Sequence, residues 1–192
     1  MSIHRTVADE TVKPYCHVPP SDMARAMGEF GLRRCPMGRV QEALSLGEDL
    51  IAGSLSRPEV VSTVDAITGM TIWVVETDSQ LNGVYLIVPL TEEGRAAVES
   101  GDFNPADPAL RHLAPAGTAI FGLYIGIYAG STKDARRSIM AASANVRVSR
   151  FSPVPVFARA ATEDGARSML SLGFRPLEGG LPDLFVSDPL NG

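Results

Sequence analysis

The sequence predicts a mixed α/β (α+β) fold, in which a helical N-terminal region precedes a central sheet flanked by helices. Apolar residues recur at helical spacing in the first part of the chain, and the hydrophobic period changes to two at Thr71. Further along, strands and helices alternate, which is typical of a sheet with helices on its faces. We therefore divide the chain into a helical region, residues 1–70, and a core, residues 71–192, packed in one domain.

Composition and charge narrow the class of protein. The 192 residues are 45% hydrophobic and 20% charged, as in an ordinary globular protein. A net charge of -5 argues against nucleic acid as a partner, because no basic excess is present to neutralise phosphates. Cys16 and Cys35 lack the spacing of metal ligands, so we expect free thiols in a reducing cytoplasm and no metal. The longest apolar run, residues 119–129, is too short and too rich in glycine to span a bilayer.

Three helices are predicted before the sheet from the spacing of apolar residues. Ser21 or Asp22 is expected to cap the first helix, and Gly53 is expected to end the second. The third helix follows Ser56 and begins near a proline. Its β-branched residues leave a strand as the alternative.

Alternating apolar residues predict a hairpin of two strands, residues 71–77 and 83–90, with an Asn-Gly pair that favours the turn. A short capped helix at residues 91–101 and a proline-rich connection follow. The remaining elements are predicted as strand 119–129, helix 132–145, strand 154–158, helix 163–172 and a final strand near 184–186.

The strand at residues 119–129 contains two glycines. Because strand side chains alternate, one face is expected to carry Phe121, Leu123, Ile125 and Ile127. The other face is expected to carry Gly122, Tyr124, Gly126 and Tyr128. Glycine inside a strand marks a bulge or a close approach by another backbone or a ligand. Small-to-large packing under a helix explains the same pattern, so both interpretations stay open.

Three cations fall at the beginning of the helix that follows this strand, namely Lys133, Arg136 and Arg137. Cations there face the positive end of the helix macrodipole, which costs roughly 0.3–1 kcal/mol each when they are exposed. An anion bound at the free N–H groups would reverse this cost. The cluster therefore predicts a phosphate site, and a solvated face partly neutralised by Asp134 is the alternative.

Local signals also predict the geometry of the next strand and the ends of the helix after it. Pro155 has no N–H, so its strand is expected to separate from a neighbour or to lie at an edge. A strand that separates beside a strand with two glycines would leave a wedge-shaped cleft. The helix after it is expected to be capped by Thr162 and to end at Gly173 in the left-handed conformation.

The order of hairpin, long strand, helix with a cationic start, separated strand, helix ending in "LGF" and final strand resembles the GNAT superfamily of N-acetyltransferases. The resemblance runs from Thr71 to about Val186. In that family, acetyl-CoA inserts its pantetheine arm between two diverging strands, and backbone amides at the next helix start hold the pyrophosphate. The resemblance implies that the diverging strands here are residues 119–129 and 154–158. The implied cofactor-binding residues are Ile125, Ile127, Gly130, Ser131, Thr132, Lys133, Asp134, Ala135, Arg136 and Arg137.

The chain departs from the family pattern at two places. The family loop reads Arg/Gln-x-x-Gly-x-Gly/Ala, and in the aligned segment Ala135 matches while Lys133 replaces a glycine. Many members place a tyrosine four residues before the glycine of "GF" to protonate the CoA thiolate, and that position is Met169 here. The candidate catalytic residues are therefore Tyr124 and Tyr128 as acids, and Glu76 or His112 as the base.

The resemblance implies an enzyme that transfers an acetyl group from acetyl-CoA to an unidentified amine by direct attack. The acidic net charge favours a cationic amine. A protein of this fold that binds CoA or another ligand without turnover, or that serves as an interaction module, is the alternative, and a coincidence of fold without CoA binding is a third. We expect a cytoplasmic protein without membrane or nucleic-acid partners, and a homodimer is allowed.

Overall fold

The computed structural model describes residues 14–51 and 55–190, in which helices cover both faces of a seven-stranded sheet. The helices are α1 (Pro20–Gly28), α2 (Val40–Ile51), α3 (Pro58–Thr68), α4 (Glu92–Ser100), α5 (Lys133–Ser149) and α6 (Glu163–Ser171). The strands are β1 (Leu32–Arg34), β2 (Ile72–Thr77), β3 (Gln80–Leu90), β4 (Gly122–Gly130), β5 (Val156–Arg159), β6 (Arg175–Pro176) and β7 (Leu184–Ser187). The predicted helix end at Gly53 lies outside the described residues.

The strands lie in the order β1-β2-β3-β4-β5-β7-β6. β4 and β5 run parallel, and α5 connects them, as a parallel pair requires a crossover connection. The other neighbouring strands of the described sheet run antiparallel. The predicted fold class, a mixed sheet flanked by helices, is therefore confirmed. The order of elements from β2 to β7 is the one that the resemblance implied.

Alternation along β2 divides the core into two layers. Trp73 and Val75 belong to the layer that also contains the inner stripe of α5. Ile72 and Val74 point to the opposite face and pack with residues of α2 and α3. The helices α2 and α5 therefore cover opposite faces of the sheet. β1 pairs with β2, so this short strand before residue 71 extends the sheet.

The hairpin is present, but its turn is not at the Asn-Gly pair. Asp78 and Ser79 form the turn with φ of 52° and 65°, the positive values that a two-residue hairpin of type I′ needs. Asn82 and Gly83 lie inside β3. A Cβ at Gly83 would approach Cδ1 of Ile139 to 2.9 Å, so close packing of α5 on the sheet explains this glycine.

Prolines lie at the start of two N-terminal helices, as predicted for α3 but in place of the predicted polar cap for α1. Pro20 is among the first residues of α1, and neither Ser21 nor Asp22 acts as its N-cap. Pro58 begins α3, which is a helix and not the alternative strand. Proline suits the first helical turn because its φ is already helical and its missing N–H would have had no partner there.

The carboxylate of Asp65 joins the end of α3 to the start of β2. Its side chain is 1% exposed, and it accepts hydrogen bonds from the N–H of Thr71 at 2.8 Å and of Ile72 at 3.4 Å. It also pairs with Arg34 of β1. A buried carboxylate is stable only when such donors replace its hydration. Asp65 therefore connects three elements at the edge of the sheet.

We expect Asp65→Ala to lower the free energy of unfolding by about 3 kcal/mol, because the change leaves buried N–H groups without an acceptor and removes the partner of Arg34. Urea unfolding followed by circular dichroism measures this difference. The exposed Asp49 provides the control, and Asp49→Ala should change stability by less than about 0.5 kcal/mol. Equal losses in both variants would contradict the role given to Asp65.

Candidate functional site

The strands β4 and β5 pair along only part of their length. Their register contains three pairs: Leu123 with Val156, Tyr124 with Phe157, and Ile125 with Ala158. β5 ends at Arg159, whereas β4 continues to Gly130 and pairs there with β3. The predicted separation of these strands is thus present. It lies after Ala158 and not at Pro155, whose carbonyl accepts a hydrogen bond from the N–H of Leu123 at 3.0 Å.

A β-bulge at Gly126 changes which side chains share a face of β4. Leu86 pairs with Ile127 and Ile87 pairs with Ile125, which leaves Gly126 as the extra residue. Ile125 packs with the α5 layer, whereas Ile127 belongs to the α2 layer. The predicted common face of these two isoleucines is therefore wrong, since strict alternation stops at the bulge. The predicted pairing of the tyrosines on one face fails for the same reason.

A cavity of about 580 Å³ lies where the two strands have separated. Its walls come from the end of β4, the first half of α5, one side of α6 and the end of α2. The lining residues are Leu50, Ile51, Tyr128, Ala129, Gly130, Lys133, Arg136, Arg137, Ile139, Met140, Ser168 and Leu172. Three of these side chains are cationic, and among the described residues no carboxylate joins them in the lining. The cavity therefore favours an anionic ligand.

The start of α5 forms the cationic side of this cavity. The Thr132 side chain caps the helix by accepting a hydrogen bond from the N–H of Ala135 at 3.1 Å. The N–H groups of Lys133 and Asp134 are in the first turn, where a helix offers no carbonyl partner. The Arg136 guanidinium donates to the carbonyl of Gly130 at 3.1 Å, which holds this side chain beside the end of β4. These donors and charges can bind a phosphate.

The structure brings four of the ten predicted cofactor residues to the cavity: Gly130, Lys133, Arg136 and Arg137. The other six have packing, capping or surface positions in the described chain. Ser131 donates from both its N–H and its hydroxyl to the carbonyl of Asn82. Asp134 is exposed, and its Oδ1 lies 3.9 Å from Nη1 of Arg137. Ala135 lies on the buried inner side of α5. Ile125 and Ile127 pack in the two core layers, and Thr132 caps α5.

The two candidate tyrosines occupy different environments. Tyr128 lines the cavity, is 41% exposed and meets the Tyr85 ring edge-on at 5.9 Å. Partial burial raises the pKa of Tyr128 to about 12. Tyr124 is buried on the other face against Phe103, with ring centroids 5.2 Å apart, and burial raises its pKa to about 12 as well. Both phenols are therefore protonated at neutral pH, and Tyr128 is the one at the cavity.

The two candidate bases are engaged elsewhere in the fold. Glu76 pairs with Arg33 and with Arg39, and hydrogen bonds from these guanidiniums hold the pKa of Glu76 below its usual range. A carboxylate with a lowered pKa is a weak base. His112 is buried beside Phe103, at a ring distance of 6.0 Å. Neither residue is part of the cavity lining in the described chain.

Several cavity residues were not singled out from the sequence as site residues. Met140 follows Arg136 and Arg137 by four and three residues, so helical geometry from the predicted cations could have found it. Ser168 of α6 and Leu172, which directly follows this helix, are four residues apart and face the cavity together. The two residues of α2, Leu50 and Ile51, carry no local signal, since they reach the cavity through tertiary packing.

The two cysteines are not among the residues that line the cavity in the described chain. Cys16 and Cys35 are free thiols, and burial raises the pKa of each to about 11. Within the residues that the structure describes, no group of three or more metal-ligating side chains comes together. No helix in residues 14–51 and 55–190 is long and apolar enough to cross a membrane.

Comparison with known proteins adds a similarity of architecture. No protein-family model and no curated protein match this chain. Among solved structures, it is similar to the crystal structure of a GNAT-family acetyltransferase from Streptococcus agalactiae, with 14% sequence identity and a TM-score of 0.48. The match covers 84% of this chain and 95% of the other. Because identity and score are both low, the function has to be inferred from the residues around the cavity.

Two glycines of β4, Gly126 at the bulge and Gly130 at the cavity, are expected to differ in their tolerance of a side chain. A Cβ at Gly130 would lie 2.8 Å from the backbone nitrogen of Arg136, and a Cβ at Gly126 would lie 2.8 Å from Cδ2 of Leu86. The first contact is with backbone at the start of α5, whereas the second is with the end of a flexible side chain. We expect Gly130→Ala to destabilise the protein by about 2 kcal/mol and Gly126→Ala by about 1 kcal/mol or less. Thermal unfolding of the two variants measures which of them loses more stability, and a larger loss for Gly126→Ala would contradict this expectation.

The ion pairs of Glu76 predict a pH-dependent stability. The folded state lowers the pKa of Glu76, so the stabilisation is present above the unfolded pKa of about 4.3 and is lost as the pH falls through the folded value. Glu76→Gln should therefore lower Tm at pH 7, and the difference from the unchanged protein should shrink below about pH 4. The exposed Glu178 is the control: Glu178→Gln should leave Tm unchanged at both pH values. A pH-independent difference would show that charge is not the cause.

Proposed function

We propose that this protein is a CoA-dependent N-acyltransferase, which transfers an acyl group from a CoA thioester to an amine. Acetyl-CoA is the donor that the sequence resemblance implies. The single observation that supports this function best is the cavity at the separation of β4 and β5, lined by Lys133, Arg136 and Arg137 of the α5 start. This cavity combines a gap between two strands with neighbouring cations that can bind an anion.

The anionic part of the donor fits the α5 start. Lys133, Arg136 and Arg137 would pair with the phosphates, and the N–H groups of the first turn would donate to phosphate oxygens. The pantetheine arm would enter the gap beside β4. Beyond Ile125, the described chain offers β4 no β5 partner, so alternate backbone N–H and C=O groups there face the gap and can bind the amides of the arm.

The chemistry would be a direct transfer. The lone pair of the amine nitrogen attacks the thioester carbonyl carbon, a C–N bond forms, and the C–S bond breaks with its electron pair on sulfur. The nitrogen loses one proton to solvent, and the thiolate gains one to become the free thiol of CoA. Binding both reactants in the cavity supplies proximity, and backbone N–H groups of β4 would stabilise the carbonyl oxygen as it gains charge.

Tyr128 is the candidate proton donor to the thiolate, and water is the alternative. Its hydroxyl lies at the cavity, and like any phenol it carries its proton at neutral pH, while burial raises its pKa to about 12. Tyr128→Phe removes the proton and keeps the ring contact with Tyr85. If Tyr128 protonates the thiolate, this substitution should lower kcat with little change in KM. Part of the activity should remain, because proximity still contributes to the rate.

Binding without turnover is the second candidate function, and specific observations favour it. Met169 cannot donate a proton, Tyr124 is buried away from the cavity, and Glu76 is held by two arginines. A protein with this cavity could bind a CoA thioester and present it, or respond to it, without transferring the acyl group. Release of free CoA thiol in the presence of a panel of amines distinguishes this candidate from the enzyme.

The first test is thermal unfolding with acetyl-CoA, with adenosine bisphosphate as a second ligand. A ligand at about a hundredfold above its Kd adds roughly 2.7 kcal/mol of stability, which raises Tm by about 5–10 °C in a chain of this size. We expect both ligands to raise Tm, because both carry the phosphates that the α5 start would bind. No shift at millimolar concentration would contradict both candidate functions.

Matched arginine variants locate the binding site in the same assay. Arg137 lines the cavity and is 66% exposed, whereas Arg111 lies elsewhere, is 65% exposed and pairs with Glu93. We expect the double variant Lys133→Gln/Arg137→Gln to weaken acetyl-CoA binding at least about tenfold, because phosphate contacts are charge-assisted. Arg111→Gln should bind acetyl-CoA as the unchanged protein does. An equal effect of both changes would place the ligand elsewhere or make the attraction non-specific.

A further inference from the structure

Large apolar side chains that are partly exposed to solvent line the cavity. Leu50 of α2 is 40% exposed, Met140 of α5 is 51% exposed, and Leu172, which directly follows α6, is 63% exposed. Exposed apolar residues scattered singly need no explanation, but a set that converges on one cavity indicates a ligand that covers it. The ligand must therefore offer substantial apolar surface in addition to its negative charge.

The cations of the cavity lie on one face of the sheet, whereas its apolar lining extends to the opposite face. The cations lie on α5, whose inner stripe packs on one face. Leu50 and Ile51 are the last two residues of α2. This helix packs on the opposite face of the sheet, in the layer that contains Ile127. A ligand that fills the cavity therefore passes the free edge of β4 and reaches from one face to the other. Its anionic end lies at α5, and its far end meets the side chains of α2.

We propose that the α2 side of the cavity binds an aliphatic acyl group larger than acetyl, so that the preferred donor is a medium-chain acyl-CoA. This inference rests on the proposed function and specifies its donor. In a CoA thioester the phosphates, the pantetheine arm, the sulfur and the acyl group follow one another in a line. When the phosphates are held at Lys133, Arg136 and Arg137, the end of the ligand that carries the acyl group is directed towards Leu50 and Ile51.

The chemistry of the α2 wall supports an aliphatic group at this end. Leu50 and Ile51 offer only hydrocarbon side chains, and in the described part of the chain no carboxylate lines the cavity to bind a cationic group. A methylene buried against such a wall contributes about 0.8 kcal/mol, which is about a fourfold gain in affinity. An acetyl group has a single methyl to place there, whereas a hexanoyl chain adds four methylenes.

The test measures Kd by isothermal titration calorimetry for CoA, acetyl-CoA, butyryl-CoA, hexanoyl-CoA and free hexanoate. We expect affinity to rise along the thioester series, with hexanoyl-CoA at least tenfold tighter than acetyl-CoA. Leu50→Ser should remove at least half of this rise on a logarithmic scale, measured as the ratio of the Kd of CoA to the Kd of hexanoyl-CoA within the same variant. The matched control is Leu110→Ser, which removes another exposed leucine, 67% exposed and outside the cavity lining, and should leave the series unchanged.

The outcomes separate this inference from the function on which it rests. If CoA and all three thioesters bind with the same Kd, the acyl-chain inference is wrong and the proposed function stands. If neither CoA nor any thioester binds, both are wrong. If hexanoate alone binds as tightly as hexanoyl-CoA, the cavity is a site for free fatty acids, which also overturns the inference. A gain along the series that Leu50→Ser does not reduce would place the acyl chain away from α2.

Discussion

The short pairing between β4 and β5 is the constraint on which the rest of the site depends. Three residue pairs join the strands, and β4 then continues past the end of β5 with β3 as its neighbour. Backbone groups in a sheet need hydrogen-bond partners, so the free edge of β4 must be satisfied by water or by a ligand. The same separation makes room between α5 and α6 and opens a path from one face of the sheet to the other. A longer β5 would close the cavity and pair the edge.

The charged residues of this protein fall into two groups with different roles. Arg33 and Arg39 meet Glu76 at the β2 end of the sheet, and Asp65 joins α3 to β1 and β2. These charges compensate one another and hold elements together. The cations of the α5 start line the cavity, where they face the positive end of their own helix. An anion bound there would offset the unfavourable position of these charges, which is consistent with the ligand role that we propose for α5.

Much of the fold could be predicted because its signals are local. The strand before α5, the helix itself and the final helix and strand were predicted to within a few residues. Thr162 caps α6 through the N–H of Gly165, and Gly173 has a φ of 83°, both as predicted. The errors arose where tertiary packing overrides a local preference. The Asn-Gly pair is a strong turn signal, yet Gly83 is needed under Ile139, and the turn moves to Asp78 and Ser79. The two-residue strand β6 was also missed, since it has too few residues to show a period.

The sequence by itself predicted the longer helices and strands in their order, without the short strands β1 and β6, and it predicted the cationic start of α5 and the separation of two strands beside it. Periodicity, helix caps and the dipole are properties of neighbouring residues, so they can be recognised in one chain without its partners. Only the tertiary structure decided that a bulge at Gly126 divides the tyrosines, that Tyr128 is the one at the cavity, and that Leu50 of α2 forms its far wall. These outcomes depend on register and packing between residues far apart in the chain, and no local pattern carries that information.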